Sequence, residues 1–158
     1  MPPAPDPDSQ EEDLNLVFLA TPALVRDNLA RMLRRSPLSR LSQDGRGTAE
    51  LVLAEVLNNV TEHAYAAGAG PVSVTLRPED KGVRCLIVDQ GAPIPGGTLP
   101  EGRLPGGPGT ALQDLPEGGF GWHLIRRLTA DLVYQRQDGR NRLSFLLPRS
   151  EERRVGKE

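Results

Sequence analysis

Three polar side chains recur at helical spacing near the middle of the chain. Glu55, Asn59 and His63 lie at positions i, i+4 and i+8 within TAELVLAEVLNNVTEHAY, residues 48–65. This spacing places them in one row along a helix. A carboxylate in such a row can take a proton from a substrate hydroxyl. An amide oxygen suits Mg²⁺, which is bound largely through waters and substrate phosphates. The alternative is an ordinary solvated helix face.

A second candidate site is Asp89-Gln90-Gly91, which follows the mostly apolar segment 83–88. A carboxylate at the end of a buried strand can accept a hydrogen bond from an amino group, such as the exocyclic amine of adenine. Gly91 has no side chain, so its backbone could approach a flat ring closely. The alternative is an ordinary aspartate where a strand meets a turn.

A third candidate site is Gly118-Gly119-Phe120-Gly121, which precedes a predicted helix. Glycines at a helix start expose backbone N–H groups at the positive end of the helix dipole, where phosphate binds. The pattern is neither a P-loop nor a dinucleotide-binding fingerprint. A flexible hinge would contain the same residue types, so this alternative stays open.

The elements that must position these sites are predicted from hydrophobic periodicity. The helix that carries Glu55 buries one apolar face, formed by Leu53, Val56, Leu57, Val60 and Ala64. The predicted elements are, in order, strand 14–20, helix 22–35, helix 48–65, strands 71–78 and 83–89, helix 121–130, and strands 131–136 and 142–147. Thr21 and Pro22 form the start of the first helix, a polar loop covers 42–47, and an Asp-Gly turn joins the last two strands.

This order predicts an α/β fold, a two-layer α/β sandwich whose mixed, mostly antiparallel sheet is covered on one face by helices. Residues 1–13 are expected to be a disordered tail, 14–148 one domain, and 149–158 a charged tail. The Gly- and Pro-rich segment 91–119 is long for a loop in a compact domain, so we expect a lid over the site.

Composition excludes several classes of function. The chain has 158 residues, a net charge of −2 and interspersed charges, which gives no electrostatic case for direct nucleic-acid or membrane binding. No apolar run is long enough to span a bilayer, and the N-terminal segment lacks the order of a signal peptide. The single cysteine, Cys85, is expected to be a buried strand residue. These features predict a cytoplasmic protein.

The three sites, taken together and in this order, resemble the nucleotide-binding signature of the Bergerat-type ATPases, the gyrase and histidine-kinase superfamily. The matching segments are AEVLNNVTEHAY, VDQGAPIP and EGGFGWHLIRRLTADLVYQRQDGRNRLSFLL. Within the superfamily, the chain is similar to the bacterial anti-sigma-factor serine/threonine kinases. The resemblance covers about residues 14–147.

The resemblance implies a role for each residue of the helical row. Glu55 corresponds to the catalytic base of the family, and Asn59 to the Mg²⁺ ligand, which also contacts ATP. His63 corresponds to a histidine one turn further along, for which we expect a structural or pocket-lining role. The implied cofactors are ATP or ADP and Mg²⁺.

The resemblance also implies how the base would be bound. Asp89 corresponds to the aspartate that binds adenine, and Gly91 would lie beside the ring. Ser144, on the last strand, would reach the adenine as a hydroxyl does in relatives.

At the phosphate end, Gly119 and Gly121 correspond to the phosphate-binding glycines, and the backbone of Trp122 and His123 would cap the phosphates. Several relatives carry a basic residue just before these glycines, where this chain has Leu115-Pro116-Glu117. Arg103 is the only arginine between the second and third sites. The absence of a basic residue at positions 115–117 bears on catalysis more than on nucleotide binding.

The implied activity is transfer of phosphate from ATP to a serine or threonine of a small antagonist protein, with a sigma factor or similar regulator as a further partner. Homodimerisation is also an expectation of the resemblance. The helix at 22–35 has a basic outer face that could meet an acidic partner or another copy. The alternatives are a nucleotide-dependent partner-switching module without phosphotransfer, or a detached histidine-kinase-like ATPase domain.

Overall fold

The computed structural model describes residues 13–101 and 119–149. Within them, five strands and three α-helices alternate with short 3-10 and π turns. The elements are β1 (Leu14–Leu19), α1 (Pro22–Leu33), a 3-10 turn (Leu38–Arg40), α2 (Gln43–Asn59), a π turn (Val60–Ala64), β2 (Pro71–Glu79), β3 (Gly82–Asp89), a 3-10 turn (Pro95–Gly97), α3 (Gly119–Leu128), β4 (Ala130–Gln137) and β5 (Arg140–Pro148). Most of the two predicted tails and of the predicted lid, including Arg103 and Glu117, lies outside the described residues.

The described strands form one sheet in the order β1-β2-β3-β5-β4, and each neighbouring pair is antiparallel. The sequence predicted a mixed sheet, but these five strands contain no parallel neighbours. Two helices, α1 and α2, connect β1 to β2, and they return the chain to the sheet so that β2 runs antiparallel to β1. Tight hairpins join β2 to β3 and β4 to β5, which also gives antiparallel pairs. β3 is central, as its apolar sequence predicted.

One face of the sheet packs against the helices, which confirms the predicted two-layer sandwich. Alternate residues of β3 and β5 are buried on this face, among them Cys85, Ile87 and Phe145. The other face is more open, and its apolar residues Val17 and Val133 are 74% and 46% exposed. In the described parts of the chain, no helix has both the length and the apolar character needed to cross a bilayer.

The first helix begins as predicted. The Thr21 hydroxyl accepts a hydrogen bond from the backbone N–H of Leu24 at 3.2 Å, and Pro22 occupies the first turn. The hydroxyl satisfies a donor that the helix itself leaves free, and the proline removes another. Val25, Leu29 and Met32 on this helix are buried, so α1 packs its apolar side on the core.

The central helix begins five residues earlier than predicted. The segment 42–47 was expected to be a loop, but α2 starts at Gln43, after Ser42. The Ser42 hydroxyl accepts from the N–H of Gly45 at 3.0 Å, which is an N-cap. Two glycines at 45 and 47 lower the local helix propensity and concealed this start.

The same helix changes geometry before its end. The α-helix stops at Asn59, and Val60–Ala64 form a π turn in which the Tyr65 N–H donates to the Val60 carbonyl at 3.0 Å. The Thr61 hydroxyl donates to the Leu57 carbonyl at 3.0 Å, the acceptor that a regular helix offers to the Thr61 N–H. The single regular helix predicted over 48–65 is therefore interrupted beside the candidate site, where π turns are often found.

The hairpin between β4 and β5 closes on Asp138-Gly139, as the sequence predicted. Both residues have positive φ, 55° and 75°. A two-residue turn of this kind matches the twist of the flanking strands and favours Asp-Gly. The turn sets the pairing of β4 with β5, and β5 in turn pairs with β3 beside the candidate site.

Candidate functional site

A cavity of about 590 Å³ lies between the second half of α2 with its π turn, the start of α3, and the adjacent ends of β3 and β5. It is largely apolar, with Val56, Ile87 and Leu143 among its walls. Polar side chains enter it from several elements. They are Asn59, Glu62, His63, Asp89, Tyr134 and Asn141, with the indole of Trp122 beside them. An apolar cavity with a few convergent polar groups is typical of a small-molecule site.

Asp89 lies at the end of β3 and is only 5% exposed. Its Oδ1 accepts from the N–H of Gly91 at 2.9 Å and from Nδ2 of Asn141 at 2.8 Å. Burial raises the pKa of this carboxyl above its usual value, although the bonds from Asn141 and Gly91 and the charge of Arg136 partly lower it. Within the described part of the chain, Oδ2 has no hydrogen-bond donor and is left for a ligand.

Asn141 is the site residue that sequence reasoning missed. It is the register partner of Asp89 across β3 and β5, and it is 5% exposed. Strand alternation could have indicated it, because Asn141 precedes the buried Leu143 and Phe145 at a spacing of two. Its position opposite Asp89, however, depends on a pairing between strands 52 residues apart.

The same alternation decides where Ser144 lies. Ser144 pairs with Leu86 and Val133 on the sheet face away from the helices, where it lines a separate cavity of about 250 Å³. The structure therefore does not bring Ser144 to the cavity that Asp89 lines. Successive strand residues point to opposite faces, so a residue beside Leu143 and Phe145 had to face away.

Gly91 makes a close contact within the protein that the sequence did not predict. A Cβ at this position would lie 2.3 Å from the carbonyl oxygen of Ala64 and 2.8 Å from its Cβ. The next residue, Ala92, donates its N–H to the same Ala64 carbonyl at 2.8 Å. The glycine thus lets the loop after β3 pack on the backbone of the π turn, and its place beside the adenine ring stays a prediction.

Glu55 lies one helical turn before Asn59, beside the start of α3. A Cβ added to Gly121 would be 2.6 Å from Oε2 of Glu55, so the glycine leaves room for this carboxylate. Burial, and secondarily the charge of Glu62, raise the pKa of Glu55. Glu55 adjoins the cavity rather than lining it. A partly buried carboxylate with a raised pKa is a stronger base than a solvated one.

Among the described residues, Asn59 has a free donor that suits an acceptor oxygen of a nucleotide, whereas a metal would be bound by its Oδ1. Its side chain lines the cavity, and its Nδ2 is buried without a hydrogen-bond partner within the described part of the chain. A buried amide left unpaired is unfavourable unless a ligand completes it. His63 lines the same cavity but is exposed, and it lies in the π turn rather than in the α-helix that carries Glu55 and Asn59.

The phosphate end of the predicted site is described in part. α3 begins at Gly119, so the backbone of Gly119, Gly121 and Trp122 belongs to its first turn. Trp122 is buried and lines the cavity, whereas His123 does not line it. The part of the cavity wall that the structure describes contains no lysine or arginine. Of the first turn of α3, Trp122 lines the described wall, whereas Gly121 does not; a helix start of this kind offers backbone N–H groups that can bind phosphate.

Comparisons with known proteins agree with this geometry. The model of the histidine kinase-like ATPase domain matches residues 18–147. The serine/threonine-protein kinase BtrW of Bordetella bronchiseptica is 33% identical over 138 residues, which cover 87% of this chain and 93% of BtrW. The serine-protein kinase RsbW of Bacillus mycoides is 22% identical over 117 residues, 74% of this chain and 71% of RsbW. The chain belongs to the histidine kinase-like ATPase domain family, whose members bind nucleotide.

Proposed function

We propose that this protein is a serine/threonine kinase of the anti-sigma-factor type, which transfers the γ-phosphate of ATP to a small antagonist protein. The observation that carries the proposal is the placement of Glu55 beside Gly121, at the start of α3, with Asn59 one turn further along the same helix. The family match and two relatives named as protein kinases support it.

In this proposal the two ends of the nucleotide contact opposite ends of the cavity. Asp89 receives the amine of adenine through its free Oδ2, and the apolar wall formed by Ile87 and Ile94 contacts the ring. The first turn of α3 directs its N–H groups to the phosphates. Asn59 would hold Mg²⁺, which when bound neutralises charge on the phosphates.

Glu55 then takes the proton of the attacking hydroxyl. Its raised pKa favours this step, because a base is most effective when its pKa lies near the working pH. The antagonist protein must present its serine or threonine at the Glu55 side of the cavity. A sigma factor is the second partner that we propose for the protein.

Replacing the base tests the chemical step. We expect Glu55→Gln to reduce transfer of labelled γ-phosphate by about 10²–10⁴-fold, the range that general-base catalysis supplies. ATP affinity should change little. Glu50→Gln is the matched control, since Glu50 is exposed on the same helix away from the cavity. Undiminished transfer by Glu55→Gln would remove Glu55 from the base role.

Replacing the amide tests the metal. Asn59→Ala should weaken ATP binding measured with Mg²⁺ by calorimetry, and it should weaken binding measured with EDTA much less. The exposed neighbour Asn58 provides the control, Asn58→Ala. Equal losses with and without Mg²⁺ would show that Asn59 contacts the nucleotide but holds no metal.

A second candidate function is a nucleotide-dependent binding module that exchanges partners without phosphotransfer. One observation favours it: the described cavity wall has no cationic side chain to stabilise a transferring phosphate. Incubation with ATP, Mg²⁺ and the antagonist decides between the two. A phosphorylated serine or threonine supports the kinase, whereas ATP-dependent complex formation without phosphate transfer supports the module.

A further inference from the structure

Asn141 uses its full hydrogen-bonding capacity within the protein. Its Nδ2 donates to Oδ1 of Asp89 and to the carbonyl of Ala92, both at 2.8 Å. Its Oδ1 accepts from the Tyr134 hydroxyl at 2.5 Å and from Nη1 of Arg136 at 3.1 Å. A side-chain amide has two N–H donors and one oxygen with two lone pairs. Asn141 is therefore already satisfied and has no group left to bind a base.

These partners permit only one orientation of the amide. Rotation by 180° would bring its oxygen against the carboxylate of Asp89 and the carbonyl of Ala92. It would also place the NH₂ group against the guanidinium of Arg136. Three of the four contacts would become repulsive, at low exposure where such losses are large; the Tyr134 hydroxyl alone could still pair, because it can accept as well as donate. The orientation of Asn141 follows from its surroundings.

The fixed amide in turn orients Asp89. Asn141 and the N–H of Gly91 both donate to Oδ1, and they approach from different elements. A carboxylate held by two donors on one oxygen loses its freedom to rotate. Its other oxygen, Oδ2, remains as the acceptor at this end of the cavity.

Tyr134 and Arg136 extend the same arrangement to the loop after β3. The Tyr134 hydroxyl accepts from the N–H of Ile94 at 3.1 Å, and Nη1 of Arg136 donates to the Gly91 carbonyl at 2.6 Å. Strand β4 therefore holds both ends of the segment 91–94. This segment contributes Ala92, Pro93 and Ile94 to the cavity wall.

We propose that Asn141, Tyr134 and Arg136 are positioning residues that fix Asp89 and the 91–94 segment, and that they thereby set the preference for a 6-amino over a 6-oxo purine nucleotide. The proposal rests on the nucleotide-dependent function proposed above. A 6-oxo purine places an oxygen opposite Oδ2, which leaves two acceptors facing each other. A site built to bond an amine rejects an analogue without it only while its acceptor cannot turn away or take up water.

The test compares ADP with IDP, which differ at the 6-position, by calorimetry in the presence of Mg²⁺. We expect the ratio of the IDP to the ADP dissociation constants to fall about tenfold or more in Asn141→Ala, because a hydrogen bond to a charged group is lost. Tyr134→Phe, which removes one oxygen atom, should lower the ratio by a smaller factor. It provides a second test of the proposal if Asn141→Ala does not fold. General loosening of the fold would weaken both nucleotides and leave the ratio unchanged.

Arg136→Gln has a matched control on the other face of the sheet. Arg142 pairs with Val88 and Gln135 away from the nucleotide cavity, so Arg142→Gln removes the same charge without touching the positioning residues. The ratio should fall in Arg136→Gln and stay at the wild-type value in Arg142→Gln. A wild-type ratio in Asn141→Ala and Tyr134→Phe would overturn the positioning proposal, whether or not the protein transfers phosphate.

A second measurement needs no nucleotide. NMR titration of the Asp89 carboxyl should show a higher pKa in Asn141→Ala and in Arg136→Gln than in the wild type, since both groups favour the ionised form. If the wild type bound no ADP, the proposed function would fail. The titration would then be the remaining test of whether Asn141 and Arg136 position Asp89. An unchanged Asp89 pKa in Asn141→Ala would then overturn the positioning proposal.

Discussion

The substitution Gly91→Ala tests whether Gly91 is needed for packing within the protein or for contact with a ligand. The new Cβ would lie 2.3 Å from the Ala64 carbonyl oxygen, 2.6 Å from its carbon and 2.8 Å from the Ala64 Cβ. Two of these three atoms belong to the backbone, which cannot rotate away as a flexible side chain can. Either the loop after β3 or the π turn must move, and the 2.8 Å bond from Ala92 to Ala64 is then lost.

The expected loss of stability has two parts. Overpacking of a tight contact costs about 1–3 kcal/mol, and loss of one backbone hydrogen bond adds about 0.5–1.5 kcal/mol. The free energy of unfolding should therefore fall by about 2–4 kcal/mol. For a chain of this length, that corresponds to a decrease in Tm of roughly 4–16 °C.

Urea and thermal unfolding measure this loss in the absence of nucleotide. Gly47→Ala is the matched control, because Gly47 lies within α2 and nothing approaches its added Cβ within 4 Å. That variant should gain about 0.5–1 kcal/mol, the helix preference of alanine over glycine. Wild-type stability of Gly91→Ala combined with lost ATP affinity would refute the packing argument and support a ring contact instead.

Two further predictions concern the carboxylates. Burial raises the pKa of Asp89 in the folded protein above its ordinary 3.8, so its contribution to stability is complete below that value and is lost as pH rises through the folded pKa. Asp89→Asn should therefore gain stability relative to wild type in urea unfolding as pH rises above 3.8 and through the raised pKa of Asp89, while ATP binding is lost. A stability difference that stays constant with pH would contradict this. Gly121→Ala should displace the flexible end of Glu55 and lower the phosphotransfer rate, with Tm and ATP affinity nearly unchanged. A loss of ATP affinity instead would assign the glycine to phosphate approach.

The sequence by itself determined the features that depend on neighbouring residues. The spacing of Glu55 and Asn59 placed them one turn apart because a helix has a fixed pitch. Thr21 with Pro22 fixed the start of α1, and Asp138-Gly139 fixed the last hairpin, because capping and positive φ are local requirements. The order of strands and helices was enough to predict the two-layer sandwich.

The tertiary structure alone decided how the site is completed. The pairing of β3 with β5 set Asn141 opposite Asp89, and a shift of one residue would have sent it to the other face. The π turn determined what Gly91 packs against. Strand alternation is local and indicates the face on which Asn141 lies, but its partner across the sheet and the contact of Gly91 join residues far apart in the chain, so they arise only when the sheet and the central helix pack together.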